Sequence, residues 1–84
     1  MTPFWLAGQP LHVLEADAAP HQFLWRGRRH RVTAISAHWR VHTSWWHAEA
    51  IWRDYWEVTT DAGFLCVLFR EVEIDGWFME RVWE

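Results

Sequence analysis

Apolar side chains recur along this chain at every second residue, and that period selects strands over helices. Over 55–60, Trp56 and Val58 fall on one face, and Tyr55, Glu57 and Thr59 on the other. Asp61-Ala62-Gly63 then reads as a turn, with Gly63 free to take a positive φ. Phe64-Leu65-Cys66-Val67-Leu68-Phe69 is apolar on both faces and reads as the central strand. Ile74-Asp75-Gly76-Trp77 carries an Asp-Gly hairpin signal, and alternation resumes over 77–83. Upstream, Phe23-Leu24-Trp25-Arg26 is a short strand, and Gly27 with Arg28 and Arg29 is its turn. The stretch 30–41 is too long for a straight strand. Val32 lies on one face of it, while Ile35, Ala37, Trp39 and Val41 lie on the other. This parity shift predicts a bulge or bend near Thr33-Ala34, the means by which small barrels turn corners. Leu11-His12-Val13-Leu14-Glu15 reads as an edge strand, and 16–20 as a connecting loop. The segment from His42 to Arg53 is the least strand-like, and Thr43 or Ser44 could cap a short helix there. The expected fold is therefore all-β. Five or six short antiparallel strands curl into a small SH3-like or open barrel, with one loop or short helix near 43–53, as a single domain over 1–84.

A chain of 84 residues has a small core. Its nine Trp address that difficulty, since each ring buries roughly 150–250 Å². Most of them are expected inside. More remain than such a core easily hides, so a homodimer is expected as well. All eight basic residues are Arg, and several adjoin a Trp. Guanidinium groups stack flat on aromatic faces. The formal net charge of −3 argues against bulk electrostatic attraction to nucleic acid or an anionic membrane. No apolar run approaches the ~20 residues of a membrane span. The single Cys forms no internal disulfide and suits the cytoplasm.

Few residues invite chemistry. The six His show no converging spacing, and His38 and His42 would stand ~13 Å apart along a strand. They read as scattered surface groups, and neither a metal nor a cofactor is expected. Cys66, between Leu65 and Val67, reads as a small hydrophobe rather than a nucleophile. Asp54 reads as an ion-pair partner or a turn cap. With no phosphate-cradling loop, no nucleophile elbow and no catalytic carboxylate pair, an enzyme is not expected. The one charge cluster is Arg26, Arg28, Arg29 and Arg31 around Gly27, with Trp25 and His30 beside it. Such a cluster could grip phosphates while a ring stacks on a base. Alternatively it could pair with Glu57, Glu71, Glu73 or Glu80 of its own domain. Trp25, these four Arg, and the Trp45-Trp46 pair are the candidate binding residues.

The motifs line up as Phe23-x-Trp25-Arg26-Gly27-Arg28-Arg29-His30-Arg31-Val32, then Trp39-Arg40, Trp45-Trp46, Arg53-Asp54-Tyr55-Trp56-x-Val58, Gly63-Phe64-Leu65, Leu68-Phe69-Arg70 and Trp77-Phe78-x-x-Arg81-Val82-Trp83. This pattern, over about residues 20–83, resembles a family of small bacterial domains of unknown function found in Deinococcus–Thermus, actinobacterial and chloroflexal genomes. The chain departs from it at His30, where the family usually has Tyr, and at Trp83-Glu84, where Tyr-Asp is common. The resemblance implies a setting near translesion-polymerase-like proteins and implies no catalytic residue. The expected function is a non-catalytic binding module with a protein partner, in DNA repair. Single-stranded nucleic acid is the alternative ligand.

Overall fold

The computed structural model describes residues 3–42 and 52–83, with side chains from residue 9 onward. Six antiparallel strands follow one another and close into a barrel in the order β1 (Pro3–Ala16), β2 (Ala19–Trp25), β3 (Arg28–His42), β4 (Trp52–Thr60), β5 (Leu65–Glu71) and β6 (Gly76–Trp83). The all-β expectation holds.

Two strands bend and serve two neighbours each. Residues 3–11 of β1 pair with β6, and residues 12–16 pair with β2. Residues 28–31 of β3 pair with β2, and residues 32–42 pair with β4. The short β2 thus closes the barrel between the two bent strands. The segment 11–15, expected at an edge, lies inside β1 instead, because Leu11 and Val13 pack against the core.

The bend in β3 falls where the parity shift placed it. The register slips between Val32 and Ala34 and again between Ile35 and Ala37. Each skipped residue carries a hydroxyl that fastens the bulge. Thr33 Oγ1 donates to Thr59 O at 3.1 Å, and Ser36 Oγ donates to Glu57 O at 3.2 Å and to Glu57 Oε1 at 2.7 Å. A bulged residue loses its ladder partner, and a short hydroxyl side chain supplies another.

Three turns differ in detail from expectation. The β2–β3 turn is Arg26-Gly27, both at positive φ, so Arg28 already belongs to β3. The β5–β6 connection is four residues long, and Asp75 rather than Gly76 takes positive φ. Gly76 opens β6, where an added Cβ would meet Phe78 Cε1 at 3.3 Å. Gly63 does take positive φ, at 87°, in the β4–β5 turn. Trp52 and Arg53 belong to β4, so the expected loop or helix at 43–53 is shorter at its end. The rest of it, with Trp45 and Trp46, lies outside the described residues.

The barrel interior draws on all six strands, including Phe23, Trp25, Val58, Cys66, Leu68, Trp77, Met79 and Val82. A second cluster covers the outside of β3–β6, around Tyr55, Val67 and Phe69. Its spine is one cross-strand row. Trp39 stacks on Tyr55, Tyr55 meets Phe69 at a tilt of 40°, and Phe69 stacks on Phe78, with centroids 5.4, 5.3 and 5.2 Å apart. Directly opposite residues on neighbouring strands are the natural stacking partners of a sheet. Among the Trp whose side chains are described, Trp25 and Trp77 are buried. Trp52, Trp56 and Trp83 are half-buried, and Trp39 is exposed. Trp56 nevertheless packs against the interior cluster, whereas Trp39 and Trp83 lie against the outer one.

A candidate binding face on β1, β2 and β3

Two tight turns hold β2 in register. Asp17-Ala18 joins Ala16 to Ala19, and Arg26-Gly27 joins Trp25 to Arg28. All four central residues have positive φ, the geometry of a type I′ turn, whose twist matches the strands it joins. The register then sends Phe23 and Trp25 inward, and Gln22 and Leu24 outward.

The outward side collects a distinct set. Leu24 stands opposite His12 on β1 and Arg29 on β3, while Gln22 stands opposite Arg31. Leu14 is 61% exposed and Leu24 45%. A shallow groove of about 300 Å³ runs between them, lined also by His12, Gln22 and Arg29. No carboxylate lines it. Residues 18–48 contain five Arg and five His and no Asp or Glu, so β2 and β3 form a cationic flank on a net anionic chain.

Among the described residues, no ion pair involves the side chains of Arg28, Arg29 or Arg31. Glu71 is taken by Arg53 at 2.9 Å, Glu57 by Ser36 at 2.7 Å and Glu80 by Arg81 at 3.8 Å. Asp61 does clamp Arg31, but through the backbone. Arg31 N–H donates to its Oδ1 at 3.1 Å, and Asp61 N–H donates to Arg31 O at 2.9 Å.

Trp25 is placed differently from Arg29 and Arg31. Its ring is 5% exposed and capped by the Arg26 guanidinium at 5.3 Å. It lines a hollow of about 100 Å³ with Arg26, Arg28, His30 and Phe64. Arg28 therefore sits with the interior row, and the outward face holds Arg29 and Arg31. His30 is not a surface group. It is 3% exposed and stacks on Phe23 with centroids 5.5 Å apart.

A second polar set lies on β3–β5. Asp54, 4% exposed, accepts from Arg40 Nε at 2.6 Å and Arg40 Nη2 at 3.2 Å, and lies 3.6 Å from Arg70 Nη2. The Arg40 hydrogen bond holds the Asp54 carboxyl below its ordinary range. This is an ion pair, one of the two roles the sequence suggested, and Arg40 supplies it from the neighbouring strand. Burial pushes the Cys66 thiol up to about 12, which leaves it a poor nucleophile. Among the described residues, no group of His, Cys, Asp or Glu converges as metal ligands. No helix there is long and apolar enough to cross a membrane.

Leu14 and Leu24 are not among the residues the sequence marks out, because isolated leucines stand out less than the Trp and Arg clusters. The signal was present, since Leu24 alternates with the inward Phe23 and Trp25.

The model of a family described as Domain of unknown function (DUF6504) matches residues 5–84. No curated protein and no solved structure matches the chain.

Proposed function

We propose that this chain, which belongs to the DUF6504 family of domains of unknown function, is a non-catalytic binding module that holds a protein partner on the outer face of β1–β2–β3. The observation that carries this reading is the company Arg29 and Arg31 keep. Arg29 lines a shallow groove with the exposed Leu14 and Leu24, Arg31 follows it on the same face, and neither guanidinium pairs with a carboxylate among the described residues. Arg beside exposed apolar side chains is a common composition of protein interfaces. A partner segment that fits would bring apolar side chains to Leu14 and Leu24 and carboxylates to Arg29 and Arg31. The reading places the module in the cytoplasm, with a partner from the DNA-repair machinery such as translesion-synthesis proteins. It also takes the module to be a homodimer.

Single-stranded nucleic acid is the second reading, favoured by the same unpaired arginines. Against it, Trp25 is covered and Phe23 in the groove wall is buried, which leaves the His12 imidazole as the exposed ring among the groove's lining residues. A labelled oligonucleotide titrated at several salt concentrations separates the two. Two phosphate contacts give a log–log salt slope of about −1.4, at ~0.7 per contact. Saturable binding with that slope, abolished by Arg29→Glu with Arg31→Glu, would install the nucleic-acid reading. The protein-partner reading predicts no saturable binding even at low salt.

A further inference from the structure

At the β2–β3 turn, Trp25, Arg26, Arg28, His30 and Phe64 line a hollow of about 100 Å³. Strand register explains why they converge. Trp25 pairs with Arg28 across the hairpin, and Phe23 pairs with His30 on the same inward row. Phe64 arrives from just before β5 and meets the His30 ring at 5.6 Å. Trp25 and His30 are buried, whereas Arg26 and Arg28 reach solvent.

Two of these side chains carry polar groups with nothing to bind. The His30 ring rests on Phe23 and Phe64, and its Nδ1 is sealed from solvent without a hydrogen-bond partner. Buried polar atoms are nearly always partnered, so such an orphan calls for a physical reason. Arg28 makes no hydrogen bond, ion pair or ring contact among the described residues. No Asp or Glu lines the hollow. Arg and Trp side chains donate hydrogen bonds and accept none, and a neutral imidazole has one nitrogen of each kind. The lining is therefore rich in donors and nearly without acceptors, which selects an anion.

We infer that this hollow binds a carboxylate carried on a short apolar stem. The carboxylate accepts from the Arg28 guanidinium, whose fork matches its two oxygens, and from the His30 imidazole. The stem lies against Trp25 and Phe64, and Arg26, with its guanidinium 5.3 Å from the Trp25 ring, stands beside it. Size and charge choose among the anions. The hollow is smaller than the ~150 Å³ cavity that takes benzene, so it admits a group of about four to six heavy atoms and excludes a nucleobase. Phosphate is small enough, but its dianion would bring a second charge against buried aromatic walls, and desolvating that charge is costly. A carboxylate brings one charge, which the Arg28 guanidinium matches. Free short-chain acids and the C-terminal carboxylates of proteins share this chemistry, and the test separates them. The inference does not rest on the outer face of β1–β2–β3, because Arg28 and His30 belong to the inward row.

The test titrates the whole chain, isotopically labelled in its Trp, His and Arg side chains, with propanoate at constant ionic strength. The expected result is saturation at about 10 mM or below, within reach of a ligand this small. The side-chain signals of Trp25, Arg28 and His30 move together. Propanamide and inorganic phosphate bind at least about ten-fold more weakly, the first for want of charge and the second for excess of it. Arg28→Gln weakens propanoate binding by about ten-fold or more. His30→Phe, which keeps a ring against Phe23 and Phe64, weakens it as well. If that variant misfolds, Arg28→Gln, at an exposed position, carries the test. A short alanine peptide that binds at least about ten-fold tighter than propanoate, and fails when its C-terminus is amidated, identifies a protein terminus as the source. Equal or weaker binding of the peptide identifies a free acid. No saturation by propanoate or by the peptide at about 50 mM, a concentration that detects even weak contacts, would overturn the inference. So would equal binding of propanamide or phosphate, or shifts confined to His12, Leu14 and Leu24.

Discussion

Replacing Ala18 by glycine stabilises this protein, against the usual effect of glycine in an ordered chain. Ala18 sits at φ 64° in the β1–β2 turn, beside Asp17 at φ 53°. An L side chain in the left-handed region costs roughly 1–2 kcal/mol, because Cβ crowds the following carbonyl. Glycine avoids that crowding but loses roughly 0.5–1 kcal/mol more than alanine in ordering its backbone. The difference leaves about 0.5–1 kcal/mol in favour of the folded variant. Ala18 is exposed, so no packing is lost. The β2–β3 turn supplies the mirror experiment. Gly27 has φ 75°, and a Cβ built there meets no atom within 4 Å. Gly27→Ala therefore carries the backbone cost without a clash and destabilises by a similar amount. Urea unfolding followed by Trp fluorescence reads both as shifts of midpoint at constant slope. For a domain of this size, thermal midpoints move by about 2–8 °C in opposite directions. A lower midpoint for Ala18→Gly, or shifts of the same sign, would refute the type I′ geometry that sets the register of β2.

Cys66 in the native protein reacts slowly with a thiol reagent at pH 8, because burial raises its pKa to about 12. Labelling as fast as in the urea-unfolded chain would contradict its place in the core. Asp54 makes stability acid-sensitive. Its folded pKa is lowered, mainly by the Arg40 hydrogen bond, so its contribution is complete above the ordinary carboxylate pKa and is lost as pH falls through the folded value. Urea midpoints of the wild type should fall steeply below about pH 4, and Asp54→Asn should fall less steeply from a lower starting point. An unchanged acid profile in that variant would remove Asp54 from the account. Sedimentation equilibrium at tens of micromolar, roughly the range of weak specific association, should show a dimer, and a monomer at every concentration would end that proposal.

The strands were legible because alternation is a local signal. The sign change between Val32 and Ile35 located the β3 bend, and Asp61-Ala62-Gly63 located the β4–β5 turn. Closure was not legible, since the pairing of 3–11 with β6 joins opposite ends of the chain. No local pattern encodes such a register. The Arg–aromatic stacking was half legible. Arg26 over Trp25 and Arg81 over Trp83 involve near neighbours in sequence, but Arg40 over Trp52 and Arg53 over Phe69 cross strands and depend on register. The type of turn mattered most for the binding face. A turn at Arg26-Gly27 places Arg28 inward and leaves Arg29 and Arg31 outside, whereas a turn through Gly27-Arg28-Arg29 would not fix that division. The burial of His30 was not legible because its sequence neighbours are arginines, while the aromatic rings against it come from β2 and from Phe64, just before β5.

The most direct test of the binding face is a photo-crosslinking residue placed at Leu24 and activated in living cells, with Ile74 as the control site. Leu24 lies in the groove, and Ile74 is 68% exposed in the β5–β6 turn. The account predicts a discrete protein adduct from Leu24, none from Ile74, and loss of the Leu24 adduct when Arg29→Glu and Arg31→Glu are added. A nucleic-acid adduct at Leu24, or a protein adduct that survives both charge reversals, would contradict it.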